Sequence, residues 1–204
     1  MKLGFNLLLW TTHVTDAHWP IIEDLKATGY DGVEIPIFEG AVAHYEKLGR
    51  RLKDAGLKAT GVGVMANGNA ISADAAARAG ALDHIKWLID CTAALGGKLV
   101  AGPLHQPLGE FSGRGPTADE MSRCVEVHKQ AAQYGAAAGV ALSIEPLNRF
   151  ECYFLNTMEQ AAELVKRVGA PNYGYLFDTF HTNIEENSVT DLISATTCSG
   201  TCCA

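Results

Sequence analysis

Short apolar runs recur along the chain, and each is followed by a longer stretch in which apolar residues return every three or four positions. LGFNLLLW (3–10), GVEIPI (32–37), LKATGVGV (57–64), KLVAGP (98–103), VALSIE (140–145) and YGYLFD (173–178) lack apolar/polar alternation. Such near-continuous runs suit strands of a parallel sheet buried on both faces. The stretches between them carry recognisable helix ends. Thr117 and Glu120 have capping-box spacing: the hydroxyl can accept the backbone N–H of Glu120 while the glutamate reaches back. Ser72 is placed to cap a helix over 73–95, and Asn156 or Thr157 one over 158–168. Gly29, Gly56, Gly96, Gly139 and Gly169 stand where helices should stop, because glycine accepts the left-handed conformation a helix end requires.

The pattern amounts to six βα units, spaced by about thirty to forty residues, with no linker or low-complexity stretch. Alternating units of this kind build an α/β fold with a parallel sheet, open or closed. An open nucleotide-binding sheet needs a glycine-rich turn after its first strand, and WTTHVTD has no glycine there. The glycines of GVGVMANG (61–68) fit neither dinucleotide nor phosphate-loop spacing. They read as strand glycines where something approaches closely, and Gly63 is taken as a substrate-facing position. A closed (β/α)8 TIM barrel instead predicts functional residues at the C-terminal ends of several strands. Glu34, His105, Glu145 and Asp178 stand at or just past four such ends.

Nearly half the 204 residues are hydrophobic and about a fifth are charged, so one sizeable core is available. A formal charge of −7 sets phosphate repulsion against a nucleic-acid partner. No run of eighteen apolar residues exists to span a membrane. The N-terminal MKLGFNLLLW reads as a strand and not as a secretion signal, since no small-residue cleavage site follows. A cytoplasmic, soluble chain is expected. Cys91, Cys124 and Cys152 read as small apolar groups, whereas Cys198, Cys202 and Cys203 crowd the tail without a nearby histidine to complete a zinc site. Residues 1–193 are therefore assigned to a partial barrel domain, and 194–204 to an aberrant Cys-rich tail expected to be disordered or artefactual.

Chemistry concentrates in SIEPLNRFE (143–151) and FDTFHTNIEE (177–186). Glu145 and Asp178 end successive strands, so their carboxylates repel unless a cation or a proton lies between them. Oxygen ligands favour Mg²⁺ or Mn²⁺, and an added imidazole shifts the balance toward Mn²⁺ or Co²⁺. His181 can turn over the barrel mouth toward a substrate, and Glu151 returns from the following loop. The plain alternatives are an ion pair of the acids with Arg149 or a lysine, a core imidazole at His181, and a solvated first-turn pair at Glu185 and Glu186.

EPLNRFE followed by FDTFHTNIEE resembles the sugar phosphate isomerase/epimerase family, within it the D-tagatose (D-psicose) 3-epimerase and L-ribulose 3-epimerase group. The resemblance runs from Leu3 to about Ile193 and includes GVEIP and GPLH. It implies a (β/α)8 barrel holding one divalent ion, Mn²⁺ foremost or else Co²⁺ or Mg²⁺, and acting on a small-molecule ketose sugar. By the resemblance Glu145 is metal ligand and proton-transfer base, and Asp178 is a metal ligand. Glu151, His181, Gly63 and His105 face the substrate. The chemistry implied is removal of the C3 proton through an enediolate, with return of a proton to the opposite face by a second carboxylate. The family's remaining two ligands, a histidine and a glutamate ending strands seven and eight, have no counterpart among these residues. The chain is accordingly read as a C-terminally truncated barrel, doubtful in its own activity and prone to homo-oligomerise. A non-catalytic fragment completed by a partner, or a hydroxypyruvate isomerase-like enzyme, are the alternatives. Endonuclease-type barrels are disfavoured, since no histidine-rich cluster or basic face is visible.

Overall fold

The computed structural model describes residues 2–188 together with 202 and 203. Strands and helices alternate: β1 (Gly4–Asn6), α1 (Trp19–Thr28), β2 (Gly32–Pro36), α2 (Val42–Asp54), β3 (Lys58–Val62), α3 (Ala75–Ala94), β4 (Leu99–Gly102), α4 (Ala118–Ala138), β5 (Ala141–Ile144), α5 (Met158–Val168), β6 (Tyr173–Leu176), α6 (Thr179–Glu185) and β7 (Cys202–Cys203). All strands are parallel, and each pairs with its predecessor in sequence, giving the order β1-β2-β3-β4-β5-β6-β7. Sequential order without a reversal is the arrangement of a TIM barrel, whereas a doubly wound sheet reverses at a switch point. The fold is a partial (β/α)8 barrel. The expected disorder of 194–204 lies largely outside the described residues. Cys202–Cys203 takes a strand position against Tyr175 and Leu176, which the tail's composition does not suggest.

Helix ends follow the local rules closely. Thr117–Glu120 forms its capping box, with Glu120 accepting the Thr117 N–H at 2.7 Å. Thr157 caps α5, paired with Gln160. Ser72 is not the cap of α3. Asp74 accepts the Ala76 N–H at 3.0 Å, and Ser72 Oγ accepts the Asp74 N–H, so the helix begins two residues later than the hydroxyl suggests. An ionised cap aligned with the helix dipole outcompetes a hydroxyl.

Strand one is shorter than its apolar run. After Asn6 the chain coils into a 3-10 turn over Leu7–Leu9, because the Asn6 Oδ1 accepts the Leu8 N–H at 2.8 Å. Burial on both faces holds for β2, β4 and β5 and fails for β1, whose only partner among the described residues is β2. One cluster of apolar side chains lies between sheet and helices, with Ile22, Ile35, Leu52, Ile85, Leu88, Val100 and Leu142 fully or almost fully buried.

The close approach read at Gly63 is to protein. A Cβ there would lie 2.7 Å from Leu88 Cδ2 on α3, so the glycine lets helix and sheet pack. Gly102 is tighter: its φ is +138°, and a Cβ would overlap the Gly63 carbonyl oxygen. We expect Gly102→Ala to destabilise the fold by about 3 kcal/mol or more, since neither backbone can yield. Gly63→Ala should cost about 1–2 kcal/mol, because the Leu88 side chain can rotate away. Chemical denaturation of the two variants checks the order.

Candidate metal and acid–base site

Glu145 is the first residue beyond β5. Its N–H donates to the Gly102 carbonyl at 3.0 Å, which carries the β4–β5 ladder one step past the regular strand. Pro146, lacking an N–H, ends the ladder there. Asp178 lies two residues past β6 and caps α6, its Oδ1 accepting the N–H groups of Phe180 (2.6 Å) and His181 (3.2 Å). The cap turns strand into helix at once, which brings His181 back over the strand ends. Glu145, Asp178 and His181 each present one ligand atom, all within 4.8 Å of one another. His181 Nε2 stands 3.9 Å from Glu145 Oε1, and its Nδ1 3.6 Å from Glu151 Oε2.

Among the described residues no lysine or arginine is paired with these acids. Arg149, the natural candidate, is drawn away by Glu185, which accepts its backbone N–H (2.7 Å) and its guanidinium (3.0 Å). The expectation that Glu185 and Glu186 form a solvated first-turn pair is therefore corrected. Glu185 ends α6 with a buried side chain, and Glu186 accepts the Met158 N–H at 2.7 Å at the start of α5. Left without a counter-ion, Glu145 holds its proton. Burial, followed by the charges of Asp178 and Glu34, raises its pKa from 4.5 to about 8. A divalent cation reverses that balance.

Glu34 belongs to the same mouth, where its place at the end of an apolar strand also suited a structural acid. In the parallel register it lies between Asn6 and Thr60. It accepts from Asn6 Nδ2 (2.8 Å) and Thr60 Oγ1 (3.3 Å), while burial raises its pKa. Only the register reveals this row, since its members are far apart in sequence. Asn148 is a further member that motif reasoning misses; its amide reaches both His181 and Glu151. The available signal is its place inside the same short loop, three residues from each glutamate.

Two expected substrate contacts are not brought to this cluster. Gly63 packs on α3, as described. His105 is fully buried, and its ring lies against Phe154 with centroids 5.8 Å apart. Among the described residues neither ring nitrogen makes a hydrogen bond of ordinary geometry, although the ring adjoins the Glu145 backbone. Burial, with the neighbouring His128, pushes its pKa down to about 3, so it is a neutral core imidazole. Trp10 stacks on Phe5 at 4.9 Å and is substantially exposed. A separate cavity of about 590 Å³ at the N-terminal ends of β3 and β4 is lined by Arg50, Lys53, Lys58 and Lys98 and by no acid or imidazole.

The family model for xylose isomerase-like TIM barrels matches residues 22–197. The chain belongs to the xylose isomerase-like TIM barrel family. It is 31% identical over 190 residues to the L-ribulose 3-epimerase of Mesorhizobium japonicum, covering 92% of this chain and 64% of that protein. It is 33% identical over 199 residues to the D-psicose 3-epimerase of Agrobacterium fabrum, covering 95% and 68%. A solved structure of L-ribulose 3-epimerase superposes with a TM-score of 0.86 at 29% identity, covering 96% of this chain and 66% of that one. The chain thus spans about two thirds of the length of these barrel-family relatives. Among the described residues no helix is long and apolar enough to cross a membrane.

The raised pKa of Glu145 has a thermodynamic consequence. Unfolded, the carboxyl releases its proton near 4.5; folded, it does so near 8. Proton binding favours the folded state fully below 4.5, and that stabilisation is lost as pH climbs through about 8. The metal-free protein should lose melting temperature between about pH 5 and pH 8. Glu145→Gln, a neutral isostere, should flatten most of the slope, leaving the smaller part due to Glu34. An unchanged slope in the variant would remove Glu145 as its source.

Proposed function

We propose that the site serves metal-dependent epimerisation of a ketose at C3. The convergence of Glu145, Asp178 and His181, with no lysine or arginine paired to the acids among the described residues, carries this reading. Names of the relatives support the substrate class and reaction, since L-ribulose and D-psicose are ketoses and both proteins are 3-epimerases.

The donor set fits a hard divalent ion. Glu145 and Asp178 offer carboxylate oxygens, and the proton that Glu145 retains marks a place where positive charge is wanted. When bound, a divalent ion there supplies Lewis-acid stabilisation of negative charge developing on neighbouring substrate oxygens. Mn²⁺ is the expected ion, with Co²⁺ and Mg²⁺ as the other choices.

Glu145, once ionised, takes the proton from C3 of the ketose. Its burial strengthens it as a base, because an acid with a raised pKa gives a carboxylate that holds a proton well near neutral pH. His181 presents Nε2 toward the same space and donates a hydrogen bond to a substrate oxygen. Glu151, held by Asn148 and half exposed, accepts one from a substrate hydroxyl. The exposed rings of Phe150 and Phe180 flank the mouth and offer apolar edges to the sugar. Inversion at C3 needs a second acid/base on the opposite sugar face, a role the family resemblance assigns to a glutamate ending an eighth strand.

Mn²⁺ titration by calorimetry should show binding that Asp178→Asn weakens by about tenfold or more. Incubation of D-fructose or L-ribulose with the protein and Mn²⁺ in deuterium oxide should place deuterium at C3, and Glu145→Gln should abolish it. Absence of exchange with every ketose tried, in protein that binds the metal, would sink the epimerase reading.

A further inference from the structure

The loop after β5 decides which nitrogen of His181 does what. Asn148 is buried, 3% exposed, inside that loop. Its backbone N–H donates to His181 Nδ1 at 3.1 Å, and its side-chain Nδ2 lies 3.0 Å from the same nitrogen. The amide cannot be turned over, because its Oδ1 already accepts the Phe150 N–H at 3.0 Å. The atom facing the imidazole is therefore the amide nitrogen, which only donates. A ring nitrogen that meets two donors has to offer its lone pair, so Nδ1 carries no proton. In the neutral ring the proton then stands on Nε2.

We propose that Asn148 is a positioning residue that locks His181 in the Nε2–H tautomer, making it a hydrogen-bond donor in the mouth and not a metal ligand. The neighbouring charges make such a lock necessary. Glu151 Oε2 lies 3.6 Å from Nδ1 and, left alone, would draw the proton to that side of the ring. Asn148 prevents this by donating to both groups at once, to Glu151 Oε2 and to His181 Nδ1. On the other edge Nε2 faces Glu145 Oε1 at 3.9 Å. A nitrogen bearing a proton has no lone pair for a cation. Of the three converging groups, His181 is thereby set to donate from Nε2.

That the donor serves a ketose oxygen rests on the function proposed above; the tautomer does not. Long-range proton–nitrogen correlation NMR on protein labelled with ¹⁵N-histidine reads the tautomer directly, with His181→Gln to assign the signals. The metal-free protein should show His181 protonated at Nε2. Asn148→Asp keeps the backbone donor but sets an acceptor where the amide nitrogen stood, and should move a larger share of the proton to Nδ1 than the alanine variant does. Asn148→Ala should give a mixture, because the backbone donor remains. A Nδ1–H ring in the unmodified protein, or an unmoved Nε2–H in a folded Asn148→Asp variant, overturns the proposal. If both variants lose their spectral dispersion, the unmodified protein's spectrum still decides. Saturating Mg²⁺, which is diamagnetic, should leave the Nε2 proton in place; its loss on metal binding makes His181 a ligand and overturns the proposal too. Failure of Mg²⁺ to bind counts against the metal reading alone, and the metal-free spectrum still decides the tautomer.

Discussion

A carboxyl group buried among three others at the open end of a parallel sheet sets the terms for everything around it. Glu145 sits in that position, with Asp178, Glu34 and Glu151 all raising its proton affinity. Water is too scarce there to screen the repulsion, and among the described residues no ammonium or guanidinium is paired with it. Arg149 could have done so and is instead anchored to Glu185 at the far end of α6. The arrangement keeps a place for a positive charge that has to come from outside these residues.

The surrounding elements are organised to hold that unsatisfied position still. Gly102 carries a backbone conformation closed to other residues, and its carbonyl receives the Glu145 N–H. On the next strand, Tyr173 reaches back to His128, whose other nitrogen bonds to the Leu104 carbonyl, tying β6, α4 and the end of β4 into one block. Glu120 on α4 accepts from Thr117, Arg114 and Tyr153, so the loops after β4 and β5 are fastened to the same helix. Preorganisation of this kind lets a site keep its geometry whether or not its ion is present.

Much of this is legible in the chain because it is written in local chemistry. Acids ending consecutive apolar runs, a threonine three residues before a glutamate or glutamine, and glycines closing helices each report a short-range physical need. Glu145, Asp178, Glu151 and His181 emerge from that level and do converge. Sequence reasoning says less where neighbours distant in sequence decide the outcome. Gly63 signals a close approach without saying that Leu88 makes it. His105 follows a strand as a site residue would, yet lies under the surface against Phe154. The second glutamate pair looks solvated until α6 proves to be only seven residues long, which swings Glu185 and Glu186 onto the loops beneath. The Asn6–Glu34–Thr60 row needs the register of three strands, and no local pattern carries that.

Among the described residues, the side chains of Glu145, Asn148, Glu151, Asp178 and His181 all come from the two connections that follow β5 and β6. The exposed Leu9, Trp10, Leu108 and Phe111 come from other connections of the sheet. Two connections, after β5 and β6, thus carry the whole acid–imidazole cluster, so a change in how those two neighbouring strands pack would move every member at once.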